Sequence, residues 1–581
     1  MAKKPLEINE FGRQDIAKFI ANTWDRYNSQ RNEQIERWKE QRNYVFATDT
    51  TTTSNKNLPW KNSTTLPKLC QIRDNLHSNY ISALFPNDQW LKWEAYTLKD
   101  ASKDKASTVE AYIGNKCREG GFKRVASQWL YDYIDYGNVF ATVDFTAEYR
   151  EDEQGQRVAG YVGPVARRIS PYDIVFNPLA TSFMDSFKII REVKTVGELA
   201  IMAEEQPDNM WLQEALKNRN KICGHMNAYG LDDFHKQEGV QIDGFGNMQE
   251  YLQSGYVELL RFFGDIHDPK TGALEKGREV VIVDRMWKIL DRPMVNWFGY
   301  APIFHVGWRL RPDNLWAQGP LENLVGMQYR IDHLENAKAD AMDLGIHPPL
   351  VIKGEVEEFK YGPGEEIHID ENGDVVELAR NAQWVLQADN SIDRLEMRME
   401  QFAGAPREAM GIRSAGEKTA FEVQQLQNAA SRIFQEKIST FETELLEPIL
   451  NAMLEIGRRN LDTTDVVRVL DNDLGATMFM EIEKEDITAS GVIRPIGARH
   501  FAAQAQLVQN LTQLSNTPIW QQIGTHVSSK ALATLVEDVF GLGRFSLIQP
   551  NVAIFEQVET QQIAGQAQEE MAMQQGAPVL E

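Results

Sequence analysis

Apolar side chains at Leu321, Leu324, Ile331, Leu334, Ala341 and Leu344 recur at roughly helical spacing. Gly319-Pro320 opens the run, and Gly345 followed by Pro348-Pro349 closes it. The pattern predicts a helix over 320–344, about 37 Å long. A second stripe, Ile392, Leu395, Met399 and Phe402, predicts a shorter helix over 391–403. Between them, 346–390 reads as a β-rich excursion. It carries a hairpin turn at Asn372-Gly373 between Ile367-His368-Ile369 and Val375-Val376. Residues 404–418 read as a loop. Thr419-Ala420-Phe421-Glu422 is a capping box that starts a helix of about 60 Å reaching residue 459. Pro448 lies inside that helix, removes one amide donor and is expected to bend it near Leu445.

The first 315 residues mix both periods. Helices are expected over 11–46, 66–84, 106–117 and 123–136, and a polar helical stretch over 195–238. Strands are expected over 138–146, 256–263, 279–283, 285–290 and 303–309. Ser170-Pro171 and Asn177-Pro178 fix turns around a short apolar strand. Phe85-Pro86 ends one helix before an aromatic strand whose Trp90 and a nearby ring would fill a core. Residues 465–470 and 477–482 look like strands returning to this domain, and Arg494-Pro495-Ile496-Gly497 introduces helices over 498–540. The Gln/Met-rich end, 556–576, is helical by propensity with little to bury.

A length of 581 residues points to about two to four structural regions. No apolar run nears the about 18 residues of a membrane span, and Met1-Ala2-Lys3-Lys4 leads into polar residues rather than a secretory signal. Three scattered cysteines fit a reducing compartment. A net charge of −23 argues against a surface that grips nucleic acid throughout. Basic and aromatic residues interleave over 11–46, but Glu33, Glu36 and Glu40 interrupt them, so a solvated helix face is the favoured reading.

Candidate chemistry is thin. In Gly416-Glu417-Lys418-Thr419 a Glu intrudes into what would be the end of a phosphate-binding loop. Asp370–Asp374 has its Gly in the wrong place for a calcium loop. Asp471 and Asp473 lack a third acid, Cys223 and His225 lack a second pair, and the ten histidines form no zinc-protease motif. No cofactor and no enzymatic activity is expected.

In order, the parts resemble the portal, or head-tail connector, proteins of tailed bacteriophages, most closely those of short-tailed phages. The residues that carry the resemblance are Ala83-Leu84-Phe85-Pro86 with Trp90, Pro171/Asp173/Asn177-Pro178, Gln318-Gly319-Pro320-Leu321-Glu322, and the capped helix from Thr419. Ser490-Gly491 with Ile496-Gly497 and Arg499, and the Gln/Met-rich tail, complete the set.

The resemblance implies an α+β portal fold. Its parts would be a wing (1–315), a first stem helix (316–345), a clip (346–390), a second stem helix (391–403), a channel-facing tunnel loop (404–418) and a long wing helix (419–460). Strands returning to the wing (461–497), a helical crown (498–555) and a tail that is a barrel helix or disordered (556–581) would follow. It implies a homo-oligomeric ring of about 12 copies at one capsid vertex. Double-stranded DNA would enter the ring at packaging and leave at ejection. The implied partners are a terminase motor, a tail adaptor, and the major capsid and scaffolding proteins, with no membrane. The protein would be assembled in the host cytoplasm and would end in the virion.

In the loop, Arg407, Arg413 and Lys418 stand beside Glu408 and Glu417. They make either a solvated connection or, repeated around a ring, a weak basic collar for DNA phosphates. In the clip, Glu355, Glu357, Glu358, Glu365 and Glu366 with Lys360 make an acidic rim suited to docking partners. Two rivals remain open. A DNA-packaging motor or nuclease would hydrolyse ATP or DNA, and a coiled-coil scaffold protein would form a rod.

Overall fold

The computed structural model describes residues 12–46, 62, 64–86, 90–97, 103–151, 157–222, 256–267, 274–294, 301–346, 350–353 and 374–377. It also describes 383–403, 433–461, 465–471, 476–482, 484–488 and 490–497. The chain divides into two compact units, Met1–Leu84 with Leu91–Pro495, and Phe85–Trp90 with Ile496–Glu581. The expectations for 498–540, 556–576, Thr419, Cys223 and His225 lie outside the described residues.

The first unit is α+β. Its largest sheet runs β4 (Ile174–Phe176), β5 (Lys188–Thr195), β6 (Tyr256–His267), β7 (Leu274–Val283) and β8 (Trp287–Pro293), each antiparallel to its neighbour. Side chains alternate across a strand, and here both faces are used. Leu260, Phe262, Val280 and Ile282 pack under Ile16, Ile20 and Trp24 of α1 (Gly12–Gln30). Val257, Leu259, Val281 and Val283 pack under Leu199 of α6 (Val196–Glu205) and Leu212 of α7 (Met210–Ile222). Burial on both faces is why Val280–Val283 is an unbroken apolar run. A capping box of Thr195 and Glu198 opens α6.

The second sheet is β3 (Arg157–Ile169), β2 (Asn138–Glu151) and β9 (Ile303–Gly307), followed in the chain by the paired strands β10 (Arg309–Arg311) and β11 (Asn314–Gln318). Phe140, Phe176, Phe183, Trp38 and Trp316 join its base to β4 in an aromatic core, with ring centroids 4.7–5.9 Å apart for the pairs Phe176–Trp316, Phe140–Phe176 and Trp38–Trp316. Arg31 sits at the joint between α1 and α2 (Asn32–Phe46). It donates to the carbonyls of Pro171 (2.6 Å) and Tyr172 (2.5 Å) and lies over the Trp316 ring. That basic residue therefore clamps the expected turn at 170–173, which is a 3-10 turn capped by Ser170.

Helices α3 (Lys68–Leu84), α4 (Lys103–Glu119) and α5 (Phe122–Asp135) fall within a few residues of expectation. So do the C-terminal strands: β14 (Asp465–Asp471) and β15 (Ala476–Ile482) pair with each other, and β14 packs against α4. A further strand, β16 (Gly491–Pro495), pairs with β1 (Leu91–Ala95), so Arg494-Pro495 ends a strand, and the helices expected after it lie outside the described residues. Pro495 is tolerated because it closes the strand at its last pair, opposite Leu91.

In the second unit, Phe85 and Trp90 meet edge to face at 4.9 Å, and the Ile496 amide donates to the Trp90 carbonyl at 2.6 Å. Phe85 is thus the ring expected beside Trp90.

Candidate functional site

The segment expected to organise the chain is a helix pair carrying a small hairpin. After a 3-10 turn (Glu322–Leu324), α8 spans Val325–Ile346, and α9 spans Gln383–Ala403. Residues 383–390, expected in the β-rich excursion, are therefore helical. Gln328 lies next to Leu69, and Glu396 and Glu400 lie next to Lys68, while Lys338 pairs with Asp389 at 3.0 Å. The two helices therefore run antiparallel.

Between them, β12 (Leu350–Lys353) pairs with β13 (Asp374–Glu377), Ile352 opposite Val375 and Val351 opposite Val376. Val375-Val376 thus pair with a strand more than twenty residues upstream, and the hairpin expected across Asn372-Gly373 lies outside the described residues. Ile367–Ile369 lie outside the described residues.

The start of α8 is fixed by a close backbone approach. Gly137 has φ +68, and a Cβ there would stand 2.3 Å from the Gly319 amide nitrogen. A Cβ on Gly319 would meet the Ile134 carbonyl at 3.0 Å. The Gln318-Gly319-Pro320 motif therefore serves the junction between α5, β2 and α8. Asn138 completes that junction: its amide donates to the Tyr136 and Ala317 carbonyls and accepts from the Ala317 amide.

Along α8 runs a polar ladder that periodicity did not flag. Gln328, Asp332 and Asn336 are buried on the helix, at 0%, 1% and 0% exposure. Each serves the backbone of an extended segment before α3. Asp340 accepts from the Asn62 amide (3.1 Å) and Asn336 accepts from the Thr64 amide (2.7 Å) and donates to its carbonyl (3.1 Å). Asp332 accepts from the Leu66 amide (3.0 Å), and Gln328 donates to the Leu66 carbonyl (2.5 Å) and accepts from the Leu69 amide (3.2 Å). Four helical residues rise about 6 Å and two extended residues about 6.6 Å, so rungs every fourth residue meet every second strand residue. Burial pushes the Asp332 carboxyl up to about 6, against the pull of the Leu66 amide and Gln328. Its Oδ2 is buried without a hydrogen-bond partner.

Below the ladder, Lys68 is almost enclosed and bonds Glu400 at 2.7 Å and Glu396 at 3.2 Å, tying α3 to α9. Charges in such a place hold only as a set, since removing one leaves the others buried and uncompensated.

The long C-terminal helix is described over 433–460. Phe434 stacks on Tyr80 at 4.9 Å and Phe441 meets Tyr133 at 5.2 Å. A π turn at Glu442–Leu446 precedes α10 (Glu447–Asn460), with the Glu447 amide donating to the Glu442 carbonyl. Pro448 has no amide to give, and the ladder shifts to i→i−5 one residue before it. The break expected near Leu445 therefore takes this form.

A second candidate is a cavity of about 220 Å3 between α2, α3, α5 and β3, lined in part by Arg42, Arg73, Asp132, Asp135 and Arg168. Its charges are paired: Arg73 grips Asp135 at 2.7 and 2.8 Å, and Arg168 grips Asp132 through both carboxylate oxygens. Burial raises the Asp132 carboxyl to about 6 and lowers His77, which stacks on Tyr131. Carboxylates held bidentately by arginine are poor proton shuttles, and the set reads as a brace.

Of the residues singled out in the sequence, Arg407, Arg413, Lys418, Glu355, Glu357, Glu358, Lys360, Glu365 and Glu366 lie outside the described residues. Asp471 ends β14, and Asp473 lies outside as well. Among the described residues no cluster of three His, Cys, Asp or Glu could hold a metal ion, and no helix is long and apolar enough to cross a membrane.

The fold and this site define a structural module: two antiparallel helices braced on an α+β body. Residues 295–526, which contain the pair, match the family described as bacteriophage head to tail connecting protein. The match bears out the resemblance to phage portals and connectors and supports a phage head-tail connector. That family is a structural one. No curated protein matches the chain.

Proposed function

We propose that this chain is a phage portal protein of the short-tailed type, a ring of about twelve copies at one capsid vertex. Double-stranded DNA passes through the ring without being read. One observation carries this reading: inside the family-matched segment, α8 and α9 run antiparallel with the β12–β13 hairpin between them. A stem that presents a clip has this arrangement.

In this reading 1–315 with 461–497 form the wing, α8 and α9 the stem, 346–390 the clip, 404–418 the tunnel loop, 419–460 the wing's long helix and 498–555 the crown. Residues 556–581 form a tail. Arg407, Arg413 and Lys418 face the channel, where each becomes a ring of charge that meets phosphates weakly enough to let DNA slide. The net charge of −23 keeps the rest of the surface from holding the polyanion. Glu355, Glu357, Glu358, Glu365 and Glu366, with Lys360 among them, dock first the terminase motor and later the tail adaptor by charge complementarity. Major capsid and scaffolding proteins surround the ring during assembly in the host cytoplasm, and the mature protein resides in the virion. The energy for packaging comes from the separate motor.

The docking role is tested by the double variant E357K/E358K. At low salt it is expected to bind the motor and the adaptor at least about tenfold more weakly, with the difference shrinking as salt rises. Unchanged affinity for both partners would remove the clip from this role.

A further inference from the structure

The extended segment at residues 62 and 64–67 is attached to α8 in an unusual way. Its backbone bonds to side-chain rungs on α8, the buried Asn336, Asp332 and Gln328 and the half-buried Asp340. Apart from the Asn62 side-chain amide, which donates to Asp340 at 2.8 Å and Asp343 at 3.0 Å, its own side chains bury little: Thr64 and Pro67 are exposed, and Asn62, Thr65 and Leu66 are only half-buried. The first fully buried side chain is Lys68, where α3 begins.

We infer that residues 62 and 64–66 form a releasable strap, which peels from α8 as a unit while α3 and the body stay folded. Two features make release inexpensive. Peeling exposes little apolar surface from the strap, so the hydrophobic term that locks most buried segments is small here. The rungs it uncovers are amides and carboxylates that water can serve, so each bond is exchanged rather than lost. Such an exchange is worth only roughly two- to tenfold in the opening equilibrium. Apolar residues at 328, 332 and 336 would have made the same joint permanent.

The ladder also fixes what closes again. Because rungs and strand residues match in spacing over two steps, Asp340 to Asn62, Asn336 to Thr64 and Asp332 to Leu66, a slip of the strap by one residue would turn amides away from their acceptors. The strap therefore reattaches in one register. Closed, it ties the segment before α3 to the length of α8, and open, it frees α8 on that side. The strap belongs to a single chain, so its behaviour can be read whether or not copies assemble into rings.

Hydrogen exchange on the full-length protein, resolved to single amides, tests this. The Thr64 and Leu66 amides are expected to be protected, yet to exchange at least about tenfold faster than the Ile72 and Leu76 amides inside α3. Asn336→Leu, which removes both bonds to Thr64, is expected to accelerate exchange at Thr64 and Leu66 by about tenfold or more and to leave Ile72 and Leu76 unchanged. Exchange of Thr64 and Leu66 at the same rate as α3 would show that the segment opens only with the core. Exchange at the free-peptide rate would show that no ladder forms in solution. Either result overturns the inference, and both are read on the wild-type protein, so the outcome stands even if the variant fails to fold.

Discussion

Asp332 shows how one residue sets a pH dependence. Burial raises its carboxyl to about 6, above an ordinary value of 3.8, against the pull of the Leu66 amide and Gln328. A carboxyl raised on folding binds its proton more tightly in the folded state. Its contribution to stability is therefore fully present below pH about 4 and is lost as pH rises through about 6. Asp332→Asn keeps the acceptor and removes the titration. The melting temperature of the variant, minus that of the wild type, is expected to rise between pH 4.5 and pH 7.5, which thermal denaturation across that range measures. A difference that stays flat with pH would place the carboxyl's titration elsewhere. At this scale the sequence was legible where a residue type is forced. The Gly319-Pro320 pair marked a real junction, although its partner, Gly137, is fixed by a backbone contact that no local pattern encodes. The ladder was missed for the opposite reason. Gln328, Asp332, Asn336 and Asp340 stand at regular four-residue steps, but a polar row on a helix normally means solvent, and the segment it serves lies more than 250 residues away.

Among elements, long periodic helices were easy to place and strand partners were not. The apolar stripe at Leu321, Leu324 and Ile331 is buried as the spacing requires. Pro448 marked its break because a missing amide acts locally. Strand pairing depends on distant chain. Val375-Val376 found a partner across the helix pair's own connection, and β16 found β1, some 400 residues away. The edge of β16 away from β1 shows how such a pairing is secured. Asn451 of α10 donates to the Ile493 carbonyl at 3.1 Å and accepts from its amide at 3.0 Å, acting as a one-residue strand. Asn451→Leu would leave both backbone groups without that partner. It is expected to cost about 1–3 kcal/mol in chemical denaturation and to speed exchange at Ile493 specifically. A loss below about 0.5 kcal/mol would mean that water replaces the amide without penalty.

For the whole molecule, mixed periodicity gave an α+β chain, and the order of its parts resembled a phage portal. The matched family bears out that resemblance, and the paired helices lie within the match. The candidate residues of 404–418 and 346–390 were legible only as charge patterns, since the roles proposed for them depend on copies of the chain and on partners that a single sequence does not contain. If copies assemble as proposed, a chain carrying −23 needs its self-repulsion offset, so assembly is expected to be favoured at moderate rather than low salt. The measurement that bears most directly on the central claim is the mass and projection of the purified protein, by native mass spectrometry with negative-stain images. Closed rings of about twelve subunits around a central hole are the expected result. A dimer or a rod at every concentration would contradict it.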